Sequence, residues 1–107
     1  MQIFHRYTEL LERLDAKGHS YQILGCAPDG QPLVCVRAGG DKTPAILISA
    51  GSHSTEQAGV SAAMELIDTL DTDHQVYIIP CRDPIGLNGF AYALSLSLGE
   101  VPQLADK

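Results

Sequence analysis

The chain has 107 residues, of which 45% are hydrophobic and 19% charged, proportions that suit one small domain with a single buried core. Its net charge of −6, with seven basic residues scattered and none adjacent, excludes nucleic-acid binding, because affinity for a phosphate backbone comes from clustered Lys and Arg. No apolar run is long enough to span a bilayer, and the start Met1-Gln2-Ile3-Phe4-His5-Arg6 lacks the basic-then-apolar layout of a signal peptide, so no membrane partner is expected and the cytoplasm is the expected location.

In chain order, residues 3–17 read as an amphipathic helix. Ile3, Phe4, Tyr7, Leu10, Leu11 and Leu14 form one stripe, and Lys17-Gly18 supplies a closing cation and a residue suited to a left-handed cap. Two apolar runs, 21–26 and 32–37, flank Ala27-Pro28-Asp29-Gly30-Gln31, and Asp-Gly between such runs predicts an antiparallel hairpin. Three cysteines, Cys26, Cys35 and Cys81, match no CxxC motif. Cys26 and Cys35 could meet across the hairpin, although free thiols in a reducing compartment are the expectation.

Residues 39–44 read as a loop on turn chemistry. The apolar run 45–50 then reads as a strand covered on both faces. From Glu56 to Leu70 the period becomes helical, with Val60, Ala63, Met64, Ile67 and Leu70 on the buried stripe. The run 75–80 is the next strand. Strand, helix and strand with short links make a βαβ unit, so 45–50 and 75–80 should be parallel. Cys81 to Gly89 reads as a turn-rich loop at the carboxyl end of the second strand. The tail is open: Phe90 to Leu94 suits a helix, and Leu94 to Leu98 alternates like a strand.

Chemistry concentrates after the first βαβ strand, in Gly51-Ser52-His53-Ser54-Thr55-Glu56. A histidine and a glutamate at the carboxyl end of an apolar strand stand where open α/β sheets bind ligands. Imidazole and carboxylate are also natural ligands for a zinc ion that keeps a position open for water. A plainer reading fits the same residues. Glu56 would favour the positive end of a helix, and Ser54-Thr55-Glu56-Gln57 would form a capping box. Arg82, at the end of the second strand, could donate to a developing oxyanion or pair with Asp83 or Glu56. His5, His19 and His74 are isolated; His74 begins the second strand and so lies at the opposite end from His53.

The order of these features resembles the zinc carboxypeptidase family from the first helix to about residue 90. The segment Gly25-Cys26-Ala27-Pro28-Asp29-Gly30-Gln31-Pro32-Leu33 resembles the family's G-x-S-x-x-G-R-P-I hairpin, Gly51-x-His53-x-x-Glu56 its first metal-binding motif, and Pro80-Cys81-Arg82-Asp83-Pro84-Ile85-Gly86 loosely its P-x-x-N-P-D-G loop. The resemblance implies that His53 and Glu56 are the first two zinc ligands. The departures are specific. Thr55 stands where members that cleave free carboxyl-terminal residues often carry Arg, and no arginine follows Arg82 to supply the family's oxyanion donor. The family's third ligand and its catalytic glutamate fall beyond Lys107.

The expected fold is therefore α/β: three layers, α/β/α, around a mixed sheet that joins an antiparallel hairpin to a parallel βαβ unit. Residues 1–107 would form a single partial domain, the amino-terminal portion of a carboxypeptidase-like catalytic domain. The expected function is zinc-dependent hydrolysis of a peptide or N-acyl amino acid, a zinc-activated water attacking the amide, with the 107 residues inactive by themselves. Alternatives are an amide deacylase of N-acyl amino acids on the same fold, or a non-catalytic α/β interaction module that self-associates through an exposed sheet edge.

Overall fold

The structure, a computed structural model, describes residues 2–52 and 57–89. Helix α1 (Tyr7–Ala16) is followed by β1 (Tyr21–Cys26), β2 (Pro32–Gly39), β3 (Lys42–Ser49), α2 (Gln57–Thr69) and β4 (His74–Ile79). The four strands form one mixed sheet in the order β1-β2-β4-β3.

The first helix starts four residues later than its apolar stripe suggests. Phe4 is buried all the same, reaching the core from the lead-in ahead of Tyr7, Leu10 and Leu14. Its end is closed as expected. Gly18 takes φ +73°, and the amides of Lys17, Gly18 and His19 donate to the carbonyls of Arg13, Asp15 and Leu14.

The hairpin is antiparallel, with Tyr21 opposite Val36 and Cys26 opposite Pro32. Its turn is closed by the Ala27 amide on the Gln31 carbonyl and the Gly30 amide on the Ala27 carbonyl, each at 2.8 Å, with Gly30 at φ +89°. Cys35 lies opposite Gln22, so the hairpin does not bring Cys26 to it, and all three cysteines are free. The loop expected over 39–44 is shorter, because β2 runs to Gly39 and β3 starts at Lys42. Arg37 holds this tight link, donating from Nη2 to the Gly40 carbonyl and to Asp41 Oδ1, both at 2.9 Å.

β3 and β4 are parallel, as the βαβ reading requires, with Ile46, Leu47, Ile48 and Ser49 beside Val76, Tyr77, Ile78 and Ile79. β4 also pairs antiparallel with β2, placing Val36 beside Ile78. Val34, Val36, Val76 and Ile78 consequently share one sheet face. They form a single buried cluster with Tyr7, Leu10 and Leu14 of α1 and Val60, Ala63, Met64 and Ile67 of α2. Both helices thus cover the same face, and no second helical layer occurs among the described residues. His19 Nε2 stands 2.6 Å from Asp68 Oδ1, and Arg13 adds an ion pair to Asp68 at 3.9 Å, so α1 and α2 are also tied at their rim.

One expectation is overturned. The apolar strand at 45–50 is not covered on both faces. β3 is an edge strand, exposed along nearly its whole length, with Leu47 65% and Ile46 44% accessible. Only Ile48 and Ala50 pack against the cluster.

Candidate functional site

The parallel pairing of β3 and β4 brings their carboxyl ends together, and hydrogen bonds continue past the strands. The Ala50 amide donates to the Ile79 carbonyl at 2.9 Å, and the Arg82 amide donates to the Ala50 carbonyl at 2.8 Å. The two chain exits are therefore zipped side by side at the edge where open α/β sheets bind ligands.

Gly51 makes the next step possible. It is buried at φ +68°, and a Cβ placed on it would stand 2.9 Å from Val60 Cγ2, 3.0 Å from Cys81 Cα and 3.2 Å from Cys81 Sγ. Only glycine gives both the left-handed backbone and the room to pass between α2 and the end of β4. His53 and Glu56 themselves lie outside the described residues, as does the alternative capping box led by Ser54. The chain that carries them links Ser52, beside this crossing, to the start of α2 at Gln57.

Arg82 is exposed at this same end. Asp83, one of the two carboxylates offered as its partner, is otherwise engaged: Oδ1 accepts the Gly86 amide at 2.9 Å, and the Asp83 carbonyl accepts the Leu87 amide at 3.0 Å. Asp83 is thus an N-cap with Pro84 in the first helical position, and residues 84–89 are helical rather than the turn-rich loop expected from Pro and Gly content. The Asp-Pro pair carried that signal in the sequence. Asn88 Oδ1 accepts the Tyr7 amide at 2.8 Å and ties this short helix to α1.

Cys81, missed as a site neighbour, is 1% exposed against Gly51. Burial pushes its thiol up to about 11; the backbone at Asp83 lowers it in part, and the Asp83 charge adds to the rise. A thiol held neutral in this way is a poor ligand and a poor nucleophile. The other histidines serve elsewhere. His19 faces Asp68, and His74 Nδ1 lies 3.0 Å from the Pro44 carbonyl at the amino end of β4, opposite the zipped exits. Among the described residues no three His, Cys, Asp or Glu side chains gather to hold a metal, and no helix is long and apolar enough to cross a membrane.

With this geometry the chain is similar to several solved structures. A candidate metallopeptidase from Shewanella amazonensis shares 28% identity over 77% of this chain and 33% of its own, with a TM-score of 0.57. A second, from Shewanella denitrificans, shares 22% over 77% of this chain and 32% of its own, also at 0.57. Bovine thrombin-activatable fibrinolysis inhibitor, solved with tick carboxypeptidase inhibitor, is 15% identical over 94% of this chain and 36% of its own, with a TM-score of 0.62. The fold is carboxypeptidase-like. The chain spans about a third of the length of each of these structures. No family profile matches the sequence, and no curated protein matches it.

Proposed function

We propose that residues 1–107 are one partial domain of a zinc-dependent, carboxypeptidase-type amide hydrolase, in which His53 and Glu56 supply two of the metal ligands. The observation that supports this reading is the zipped pair of strand exits. Ala50 and Arg82 are hydrogen-bonded across the ends of two parallel strands, and the buried Gly51 crossing there stands two residues ahead of His53 in the sequence. A fold shared with a candidate metallopeptidase at 28% identity adds to it.

One neutral imidazole and one carboxylate suit zinc by ligand chemistry, and two ligands leave the set short of the three that catalytic zinc sites take from protein. When bound, zinc would make water acidic enough to attack an amide carbonyl near neutral pH. The residues of this chain would do the rest of their work in place. Glu56 would offset the cation's charge next to a helix start, and Arg82, exposed at the same end, would offer a cationic donor to the substrate's carbonyl or carboxylate oxygen. The substrate class is a peptide or an N-acyl amino acid. Thr55, in place of the arginine found in members that cleave free carboxyl-terminal residues, favours the deacylase form of the reaction as the second reading.

Metal analysis of the purified chain tests the proposal. Zinc that binds the wild type and is lost in both His53→Ala and Glu56→Ala, with unchanged circular dichroism, is the expected result. Zinc content indifferent to both substitutions would overturn it.

A further inference from the structure

A cavity of about 240 Å³ lies where the lead-in to α1, α1 itself and α2 meet. Phe4 comes from the lead-in, Arg13 from α1, and Ser61, Met64, Glu65 and Asp68 from α2. Positions 61, 64, 65 and 68 follow the helical spacing and make one stripe of α2. The walls include neither Cys81 nor Arg82 of the zipped strand exits.

Ser61 marks this cavity as more than a surface dent. It is 4% exposed, and its Oγ is buried without a hydrogen-bond partner. A helical serine or threonine can satisfy its hydroxyl on the carbonyl four residues back. Thr69 of the same helix does so, donating to the Glu65 carbonyl at 3.0 Å. Ser61 makes no such bond, so the cavity wall holds a buried donor and acceptor left unmade, at a cost to the fold. A ligand atom would complete it.

The charges around Ser61 are mixed. Asp68 is held by His19 at 2.6 Å, and Arg13 approaches its other oxygen only to 3.9 Å, too far for a hydrogen bond. The guanidinium therefore keeps donors to give, and Glu65 forms no ion pair among the described residues. A simple cation would be repelled by Arg13, and a simple anion by Glu65 and Asp68. A ligand carrying both charges, a few bonds apart, satisfies both sides. Buried Phe4 and Met64 supply an apolar wall for the remainder. The volume is below the roughly 300–1,000 Å³ of pockets for drug-sized molecules, which sets the ligand as small.

We propose that the cavity between α1 and α2 binds a free α-amino acid with an apolar side chain. Its ammonium group pairs with Glu65, and its carboxylate takes the donors of Arg13 and the Ser61 hydroxyl. Its side chain lies against Phe4 and Met64. The inference rests neither on the metal ligands nor on the proposed reaction.

Calorimetric titration of the full chain with L-leucine tests it, beside two half-ligands that each lack one charge, 3-methylbutylamine and 4-methylpentanoate. Leucine should bind one-to-one with a dissociation constant of about 1 mM or below, and each half-ligand about tenfold or more weakly. Glu65→Gln and Arg13→Gln should each weaken leucine by about tenfold, and Ser61→Ala by about fivefold. Ser61→Ala carries a second readout. It removes no hydrogen bond, so its thermal midpoint should equal or exceed that of the wild type. His53→Ala should leave leucine affinity unchanged. The proposal is overturned if leucine does not bind at about 10 mM, or if either half-ligand matches it. It is equally overturned if affinity ignores Glu65→Gln and Arg13→Gln, or if Ser61→Ala lowers the midpoint, which would assign the hydroxyl to the fold. Leucine binding lost in His53→Ala would move the amino acid to the metal motif and remove the cavity site.

Discussion

Gly51 and Cys81 touch where the two parallel strands end: a methyl group on Gly51 would stand 3.0 Å from Cys81 Cα and 3.2 Å from its sulfur. This contact fixes how the chain leaves β3 and therefore where the residues after Ser52 begin. Gly51→Ala combines a left-handed backbone with a third close approach, to Val60 Cγ2 at 2.9 Å. It should destabilise the fold by about 2–3 kcal/mol, read as a lowered urea midpoint with an unchanged slope. Gly30→Ala is the control. Gly30 has φ +89° but open space around the added carbon, so the loss should be only about 1 kcal/mol.

Alkaline pH should weaken the fold through Cys81 and Tyr7. Burial pushes the Cys81 thiol up to about 11 from its ordinary 9.0. It pushes the Tyr7 phenol up to about 12 from 10.0, with the backbone at Val34 tempering the rise. In both, the unfolded chain gives up its proton first. The stabilisation is complete below pH 9 for the thiol and is lost as pH climbs to about 11; for the phenol the window runs from 10 to about 12. The thiol contributes on the order of 2 kcal/mol to this slope. Urea titrations from pH 8 to 11 should show the decline, and Cys81→Ala should flatten its lower part.

Thiol labelling should separate the cysteines. Cys26 is exposed, whereas Cys35 and Cys81 are buried and burial raises both thiols. One thiol per chain should react promptly with a disulfide reagent at pH 8, and the other two only on unfolding. Prompt reaction of all three would contradict the described core.

Asp83 should behave as a cap. Asp83→Ala removes the acceptor for the Gly86 amide and should cost about 1 kcal/mol, whereas Asp83→Asn, which keeps an acceptor at that position, should cost much less. A role as the ion-pair partner of Arg82 would instead make Asn as harmful as Ala.

Two apolar strand residues should respond very unequally to truncation. Ile78→Ala, at a fully buried position in β4, should cost about 2–5 kcal/mol. Leu47→Ala, in β3, should change the stability of the chain by less than about 0.5 kcal/mol, because its side chain is 65% exposed. Thermal unfolding of the two variants checks both outcomes.

The contrast between Ile78 and Leu47 marks how far the sequence could be read. Both sit in short apolar runs bounded by turn residues, and such runs look alike whether the strand is central or at an edge. Period reports which residues alternate, and it carries no information about how many neighbours a strand has. The hairpin was legible because Asp29-Gly30 encodes its own turn locally. The parallel pairing of β3 and β4 was legible because a strand, a helix and a strand with short links close in one hand. The helical run 84–89 was misread from its Pro and Gly content, although Asp83-Pro84 is a helix start as much as a turn. For the candidate site, the motif around His53 and Glu56 was legible as residue chemistry, and both residues lie outside the described residues. The packing of Gly51 against Cys81 was invisible, since it joins residues far apart in the chain.

By itself, then, the sequence determined the two main helices, the hairpin, the βαβ unit and the position of the His53-x-x-Glu56 motif in the chain, because each depends on neighbours within a few turns of chain. The tertiary structure alone decided that α1 and α2 cover one face, that β3 is an apolar edge strand among the described residues, and that Ala50, Gly51, Cys81 and Arg82 lock the strand ends together. Those facts depend on which surfaces meet, and burial is a property of the assembled fold rather than of any single segment.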